Sequence, residues 1–275
     1  MKLEAEKIQM ASQTSHLKWK ITVLDEIGST SDYVRDLGKQ GAPEGWVVFA
    51  EFQTKGRGRR EKTWKALPGR DLMFSVLLRP RSEPSRWPRI TTLAALAICK
   101  GISNELPISP QIKWPNDIYI QGKKVCGILA ETLSTPSGAC VVLGIGVNVN
   151  SLDFDPEIQS TATSLSLMIE GGKRVLDRNL LAGAILMALD VELSRMEDDQ
   201  FPAAMEEVRA QSWLIGRTIR GSVDGSDFFG RVTDLDPEGH LIVILSDGTL
   251  ADLSSAENIR EVICDGVGSL GFPLK

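Results

Sequence analysis

The chain predicts an α+β fold: a mixed, mostly antiparallel sheet with helices on one side, followed by a small β-barrel. Three observations carry this. Short apolar strands follow one another across tight turns between residues 112 and 150, and strands joined so closely pair antiparallel. Two long Leu/Ala-rich stretches, 90–106 and 179–196, have the density and period of core helices. After Trp213 the texture changes to short β segments punctuated by Asp-Gly and Pro-Glu-Gly turns, the pattern of a small barrel. At 275 residues one large unit plus a small one is expected, with the boundary near Gln211.

In chain order, residues 1–18 read as a loosely ordered, flexible leader, too short for a helix-turn-helix module. Residues 20–26 alternate as a strand. Ser29 then starts a helix as its cap, with Asp32 three residues on as in a capping box, and Gly38 stops it. Residues 46–52 and 71–79 are buried strands, and residues 90–106 a core helix. Strands follow at 112–114, 117–120 and 124–132, the last two joined by a turn at Gln121-Gly122-Lys123. A turn at 134–138 leads to a long strand over 139–150. Residues 162–196 are helical in pattern, and 201–211 form one more helix. The barrel segments are 218–223, 228–235, 241–245 and 250–253. The chain divides into a leader (1–18), a large domain (19–211) and a small one (212–275).

Composition excludes several classes. A net charge of −5, from 31 Lys+Arg against 36 Asp+Glu, argues against non-specific DNA binding by the whole surface. No secretory signal or run long enough to span a membrane is present. The four cysteines, Cys99, Cys126, Cys140 and Cys264, are unclustered and read as buried small hydrophobes of a reducing cytoplasm. Only two histidines exist, His16 in the leader and His240 in a hairpin turn, so a histidine triad or multi-histidine metal centre is not expected. An enzyme built this way works by positioning and by stabilising charge with Arg, Lys and a metal.

Against that acidic background, Gly56-Arg57-Gly58-Arg59-Arg60 stands out. Lys55, Arg57, Arg59, Arg60, Lys62 and Lys65 crowd around one acid, Glu61. Glycine permits close backbone approach, and guanidinium forks grip phosphate or carboxylate with two bonds. Two readings stand: a lid closing over a small anion, and a nucleic-acid contact patch. The acidic net charge favours the first.

Four motifs together carry a resemblance. They are Gly28-Ser29-Thr30; Gln53 with the Gly-Arg-Gly-Arg-Arg run and Trp64; Lys113-Trp114-Pro115-Asn116-Asp117 with Lys124 and Gly127; and Gly144-Ile145-Gly146-Val147-Asn148. In this order the chain resembles the biotin protein ligases over about residues 20–265, in the short form without the N-terminal DNA-binding domain. The resemblance implies a catalytic domain like that of class II aminoacyl-tRNA synthetases and a Src-homology-3-like barrel. It implies activation of biotin by MgATP as biotinyl-5′-AMP, then transfer to a lysine of a biotin carboxyl carrier protein.

The same resemblance implies the roles of residues. Ser29, Thr30 and Ser31 would meet biotin's ureido ring, Ser31 standing where many relatives have Asn. Gln53, Gly56, Arg57, Gly58, Arg59, Lys124, Gly127, Gly144 and Gly146 complete the biotin site, the glycines leaving room for ligand against the sheet. Arg57, Arg59, Lys124 and Asp117 would be catalytic, with Lys123 the rival of Lys124 on the other face of the strand. Arg59, Arg60, Trp64, Lys113, Trp114, Asn116 and Asn148 would face the nucleotide. No metal ligand is assigned. The expected partners are biotin, ATP and the carrier, with no DNA and no membrane, a cytoplasmic location and a possible homodimer. The competing functions are a lipoate or octanoate ligase or transferase of related fold, and a non-enzymatic biotin-sensing regulator.

Overall fold

The computed structural model describes residues 2–12, 17–59, 62–169, 174–197 and 200–262. Two sheets organise it. The larger has seven strands in the order β1-β2-β3-β7-β6-β5-β4. These are β1 (Lys20–Ile27), β2 (Trp46–Gln53), β3 (Leu72–Leu78), β4 (Gln111–Lys113), β5 (Asp117–Ile120), β6 (Lys123–Thr135) and β7 (Gly138–Val147). Only β1 and β2 pair in parallel, and the helix α2 (Thr30–Lys39) makes the crossover between them. All other neighbours are antiparallel, as the short connections predict. The β5–β6 turn places Gln121 and Gly122 at φ 50° and 77°, the left-handed pair of a tight hairpin.

The helices cover both faces of this sheet rather than one. Strand alternation shows why: Val47 and Phe49 enter the large core beneath α3 (Arg89–Glu105) and α5 (Arg178–Glu197), while Val48 faces the other way. Val48 joins Leu77, Cys140, Val142 and Val34 of α2 in a second, smaller core. The helix α2 continues through Gly38 to Lys39, and a Cβ at Gly38 would meet the Cys140 sulfur at 3.1 Å. There glycine is a packing residue rather than a stop.

Three other expectations are corrected. Residues 5–11 are not a loose leader; they form helix α1 (Ala5–Ala11), with Leu3 and Ile8 buried against the main core. Residues 162–196 are not continuously helical. Ala162 forms a parallel β-bridge with Lys124 as the chain leaves a turn, followed by a single helical turn, α4 (Leu165–Met168), and only then α5. The small domain has a fifth strand, β12 (Glu257–Glu261), whose charged sequence hid it.

The second sheet joins β8 (Thr218–Val223), β9 (Ser226–Leu235), β10 (Leu241–Leu245), β11 (Leu250–Leu253) and β12 in the order β11-β10-β9-β8-β12, all antiparallel. Its Val232 and Leu241 belong to the same continuous core as Phe49. The β9–β10 turn docks on the large domain: Trp114 Nε1 donates to Gly239 O at 2.9 Å, and Arg89 pairs with Glu238 at 2.5 Å. Before this sheet comes α6 (Phe201–Ala210), whose Arg209 Nε donates to Leu235 O at 2.7 Å. No described helix is long and apolar enough to cross a membrane. Cys99, Cys126 and Cys140 are buried free thiols; Cys264 and His16 lie outside the described residues.

Candidate active site

A cavity opens where the C-terminal end of β2, the start of α2 and the middle of β6 and β7 converge beneath the basic loop. Its floor is made by register. Gly127 of β6 pairs directly with Gly146 of β7, and Leu129 pairs with Gly144, so two facing positions carry no side chain. The Trp64 indole occupies that bare patch. A Cβ on Gly146 would lie 2.5 Å from Trp64 Cε2, and one on Gly127 would lie 3.0 Å from its Cζ3. Both are closer than carbon atoms can approach without displacement. Trp64 Nε1 is buried there with no hydrogen-bond partner.

The wall next to α2 is a chain of hydroxyls. Gln53 Oε1 accepts from Thr30 N at 2.7 Å and from Thr30 Oγ1 at 3.1 Å. Ser75 Oγ lies 2.8 Å from Thr30 Oγ1 and 3.0 Å from Ser31 Oγ. Gly144 is needed for Ser31 to reach in, because a Cβ there would sit 2.8 Å from Ser31 Oγ. Ser29 holds the N-cap position with extended backbone but makes no capping bond, and the expected capping box does not form. Its Oγ is buried without a partner, an unused donor and acceptor at the cavity wall.

Opposite stand the cations. The basic loop folds as a small hairpin, with Trp64 N donating to Gly56 O at 3.0 Å and Gly58 N to Lys62 O at 2.7 Å. Gly56 lies on the loop's outer side, against a separate groove, where a Cβ would collide with Trp64 O at 2.3 Å. Arg59 Nη1 donates to Asn116 Oδ1 at 3.1 Å, while Asn116 Nδ2 donates to Ile128 O at 2.8 Å. Arg57 is held by acids: Nη1 to Asp32 Oδ1 and Nη2 to Glu131 Oε1, each at 2.5 Å. Lys124 Nζ points into the cavity and pairs with Asp117 Oδ1 at 2.6 Å. Its backbone is fixed from both sides, Lys124 N donating to Thr161 O and Thr163 N to Lys124 O, each at 2.8 Å. Lys123 does not line the cavity.

Three residues expected on the nucleotide side stand elsewhere. The Trp114 indole faces the small domain through Gly239. Lys113 Nζ donates to Tyr119 Oη at 3.0 Å and lies over the Tyr119 ring, away from the cavity. Burial lowers its ammonium's pKa, with Asp117 opposing and Lys124 adding to the shift. Asn148 ties β7 to the segment before α4: its Nδ2 donates to Thr163 O at 2.9 Å and its carbonyl accepts from Leu165 N. Each side chain is committed to holding the fold. Arg60 lies outside the described residues.

Sequence reasoning missed Ser75, Asp32 as a loop contact, and Glu131. Ser75 had a signal, being a lone polar residue in the otherwise apolar run Leu72–Leu78 and now fully buried. Glu131 had none, since an acid in the outer half of a long strand reads as solvated.

A glycine floor, a hydroxyl wall and a ring of cations, with no carboxylate among the described lining residues, define a site for a small polar anion held and covered by a loop. Residues 23–148 match the Biotin/lipoate A/B protein ligase family. The bifunctional ligase/repressor BirA of Bacillus spizizenii is 33% identical over 250 residues, covering 90% of this chain and 76% of that protein. The biotin–[acetyl-CoA-carboxylase] ligase of Paracoccus denitrificans is 38% identical over 204 residues, covering 72% of this chain and 83% of that one. Among solved structures, the Aquifex aeolicus biotin protein ligase in complex with biotin and ATP superposes with a TM-score of 0.79 at 25% identity, over 88% of this chain and 99% of the other. The chain belongs to the Biotin/lipoate A/B protein ligase family, as a biotin protein ligase.

Proposed function

We propose that this cavity joins biotin to ATP as biotinyl-5′-AMP and then passes the biotinyl group to a lysine of a biotin carboxyl carrier protein. In the first step a biotin carboxylate oxygen attacks the α-phosphorus and pyrophosphate leaves with the electrons of the broken P–O bond. In the second the carrier amine attacks the acyl carbon and AMP departs. The observation that carries the reading is the arrangement of the described lining: Arg57, Arg59 and Lys124 gathered over a glycine floor, with the acids that pair Arg57 and Lys124 (Asp32, Glu131 and Asp117) standing behind them, outside the lining. Both steps gather negative charge on carboxylate and phosphate oxygens, and cations placed beforehand stabilise it without reorganising.

The hydroxyl wall suits the ureido ring. Ser29 Oγ has unused bonding capacity, and Thr30, Ser31 and Ser75 form a connected hydroxyl set that can accept from urea N–H groups. Because Gln53 Oε1 already accepts from Thr30 N, its amide N–H groups are the free ones. A dithiolane acid without a ureido group, such as lipoate, would leave this wall unpaired, at a cost that discriminates against it. Lys124 serves the reacting oxygens, and Asp117 beside it orients the ammonium. Magnesium enters as part of MgATP: the described lining residues include no carboxylate to hold a resident ion, and this metal is commonly carried by substrate phosphates. The setting is cytoplasmic, the protein acts without DNA, and pairing of two copies through the large sheet is compatible with its open β1 edge.

Two measurements test this. Mass spectrometry of a carrier domain incubated with protein, MgATP and biotin should show one added biotinyl group, and none with lipoate. Lys124→Met should lower biotin-dependent pyrophosphate exchange into ATP by about 10²–10³, the usual effect of removing one preorganised charge donor. Unaltered exchange in that variant would remove Lys124 from the chemistry.

A further inference from the structure

Gly127, Leu129 and Glu131 succeed one another on one face of β6, so the strand that floors the cavity also carries an acid just outside it. Glu131 Oε1 accepts from Arg57 Nη2 at 2.5 Å and from Arg35 Nη2 at 2.9 Å. The other terminal nitrogen of Arg57 donates to Asp32 Oδ1 at 2.5 Å. Two acids, one from α2 and one from β6, thus converge on a single residue of the basic loop, and Arg35 of α2 holds the second of them. The Glu131 side chain is 24% exposed against 54% for Asp32, so the Glu131 contact is the better shielded from water. Arg57, Gly58 and Leu129 border both the inner cavity and an outer groove of about 590 Å³ that Lys55, Lys62 and Glu131 also line. The Arg57–Glu131 pair therefore stands in the partition between the two.

We infer that Glu131 is a positioning residue for ligation: it is the catch that holds the basic loop down through Arg57 and thereby sets how long the adenylate is retained. Resting on the ligase reading above, this changes what Arg57 does. Both its terminal nitrogens are engaged by acids of α2 and β6 that stand outside the cavity lining, so its first task is to pin the loop. Asp32 is the weaker, outer half of the catch, and Arg35 aligns Glu131 from behind.

The test uses Glu131→Gln, Asp32→Asn and Glu131→Asp in the full chain, with two readouts. The first is tryptic cutting of ligand-free protein at the arginines and lysines of residues 55–65. The second is the rate at which labelled biotinyl-adenylate, formed in place, is lost after rapid gel filtration. A charge-assisted hydrogen bond of this kind corresponds to about tenfold or more in an equilibrium. Glu131→Gln should raise both rates by about that factor, Asp32→Asn by less, and Glu131→Asp should recover part of the loss. Pyrophosphate exchange at saturating biotin and ATP should fall less than adenylate release rises. Wild-type rates of loop cutting and release in Glu131→Gln would overturn the inference. So would cutting accelerated evenly along the whole chain, which marks a merely structural acid. If wild type forms no adenylate, the ligase reading fails, and loop cutting alone still decides whether Glu131 is the catch.

Discussion

The Trp64 indole fills the space that two side chains would otherwise occupy, and this dependence is testable one atom at a time. A methyl on Gly146 would sit 2.5 Å from the ring, whereas one on Gly28, at the entrance to α2, meets nothing within 4 Å. Gly146→Ala must therefore push Trp64 off its seat, while Gly28→Ala keeps the loop where it is. The expected outcome is faster loss of biotinyl-adenylate from Gly146→Ala and wild-type retention in Gly28→Ala; equal behaviour would show that the indole does not cover the ligand. The glycines and Trp64 were legible because residues without side chains recur two apart in an apolar strand, and because an indole in a basic loop has few other uses. Glu131 and Ser75 were not, since neither belongs to a spacing. Lys113, Trp114 and Asn148, expected on the nucleotide side, stand off the cavity lining for a different reason. A motif names neighbours in sequence, but β4 and the turn after it present successive side chains to different surroundings, here the small domain as well as the cavity.

Among the elements, α1 shows how a short helix escapes a periodicity argument. Only Leu3, Ile8 and Met10 are large and apolar in residues 2–12, and Met10 is exposed, so two buried contacts decide the docking. Polar bonds complete it: Leu3 N donates to Glu51 Oε1 at 2.6 Å, Glu4 N to Asn179 Oδ1 at 2.8 Å, and Glu51 in turn pairs with fully buried Arg178 at 2.8 Å. A helix of 7 residues has little stability of its own, so it depends on this packing. Ile8 is completely buried, and Ile8→Ala should destabilise the protein by about 2–5 kcal/mol, read from urea denaturation. A shift below about 0.5 kcal/mol would mean that α1 does not stay docked in solution. The segment at 161–163 escaped notice similarly. Its apolar neighbours suggested a helix, but its backbone is used to flank Lys124, and hydrogen bonds to a strand nearly forty residues earlier leave no local trace.

At the scale of the whole molecule, the two sheets share one core, and the β9–β10 turn is their most specific polar joint. The change of texture after Trp213 made the second sheet readable, but nothing in the sequence could pair Trp114 with Gly239, 125 residues apart. Two bonds tie that turn down, and their surroundings rank them. Trp114 is 7% exposed, so its indole N–H reaches Gly239 O in a largely dry contact. The Arg89–Glu238 pair is shorter at 2.5 Å, yet the Glu238 side chain is 58% exposed and Arg89 is also held over the Phe201 ring. Water and ions screen such a pair, and exposed pairs of this kind contribute about 0–1 kcal/mol. Trp114→Phe keeps an aromatic body but removes the donor to the half-buried Gly239 carbonyl, at a cost of about 0.5–1.5 kcal/mol on top of the lost packing. In urea denaturation Trp114→Phe should therefore lose more stability than Glu238→Gln, and added salt should diminish only the second effect. The reverse order would mean that charge, rather than the buried indole bond, holds the small domain against the wall of the catalytic one.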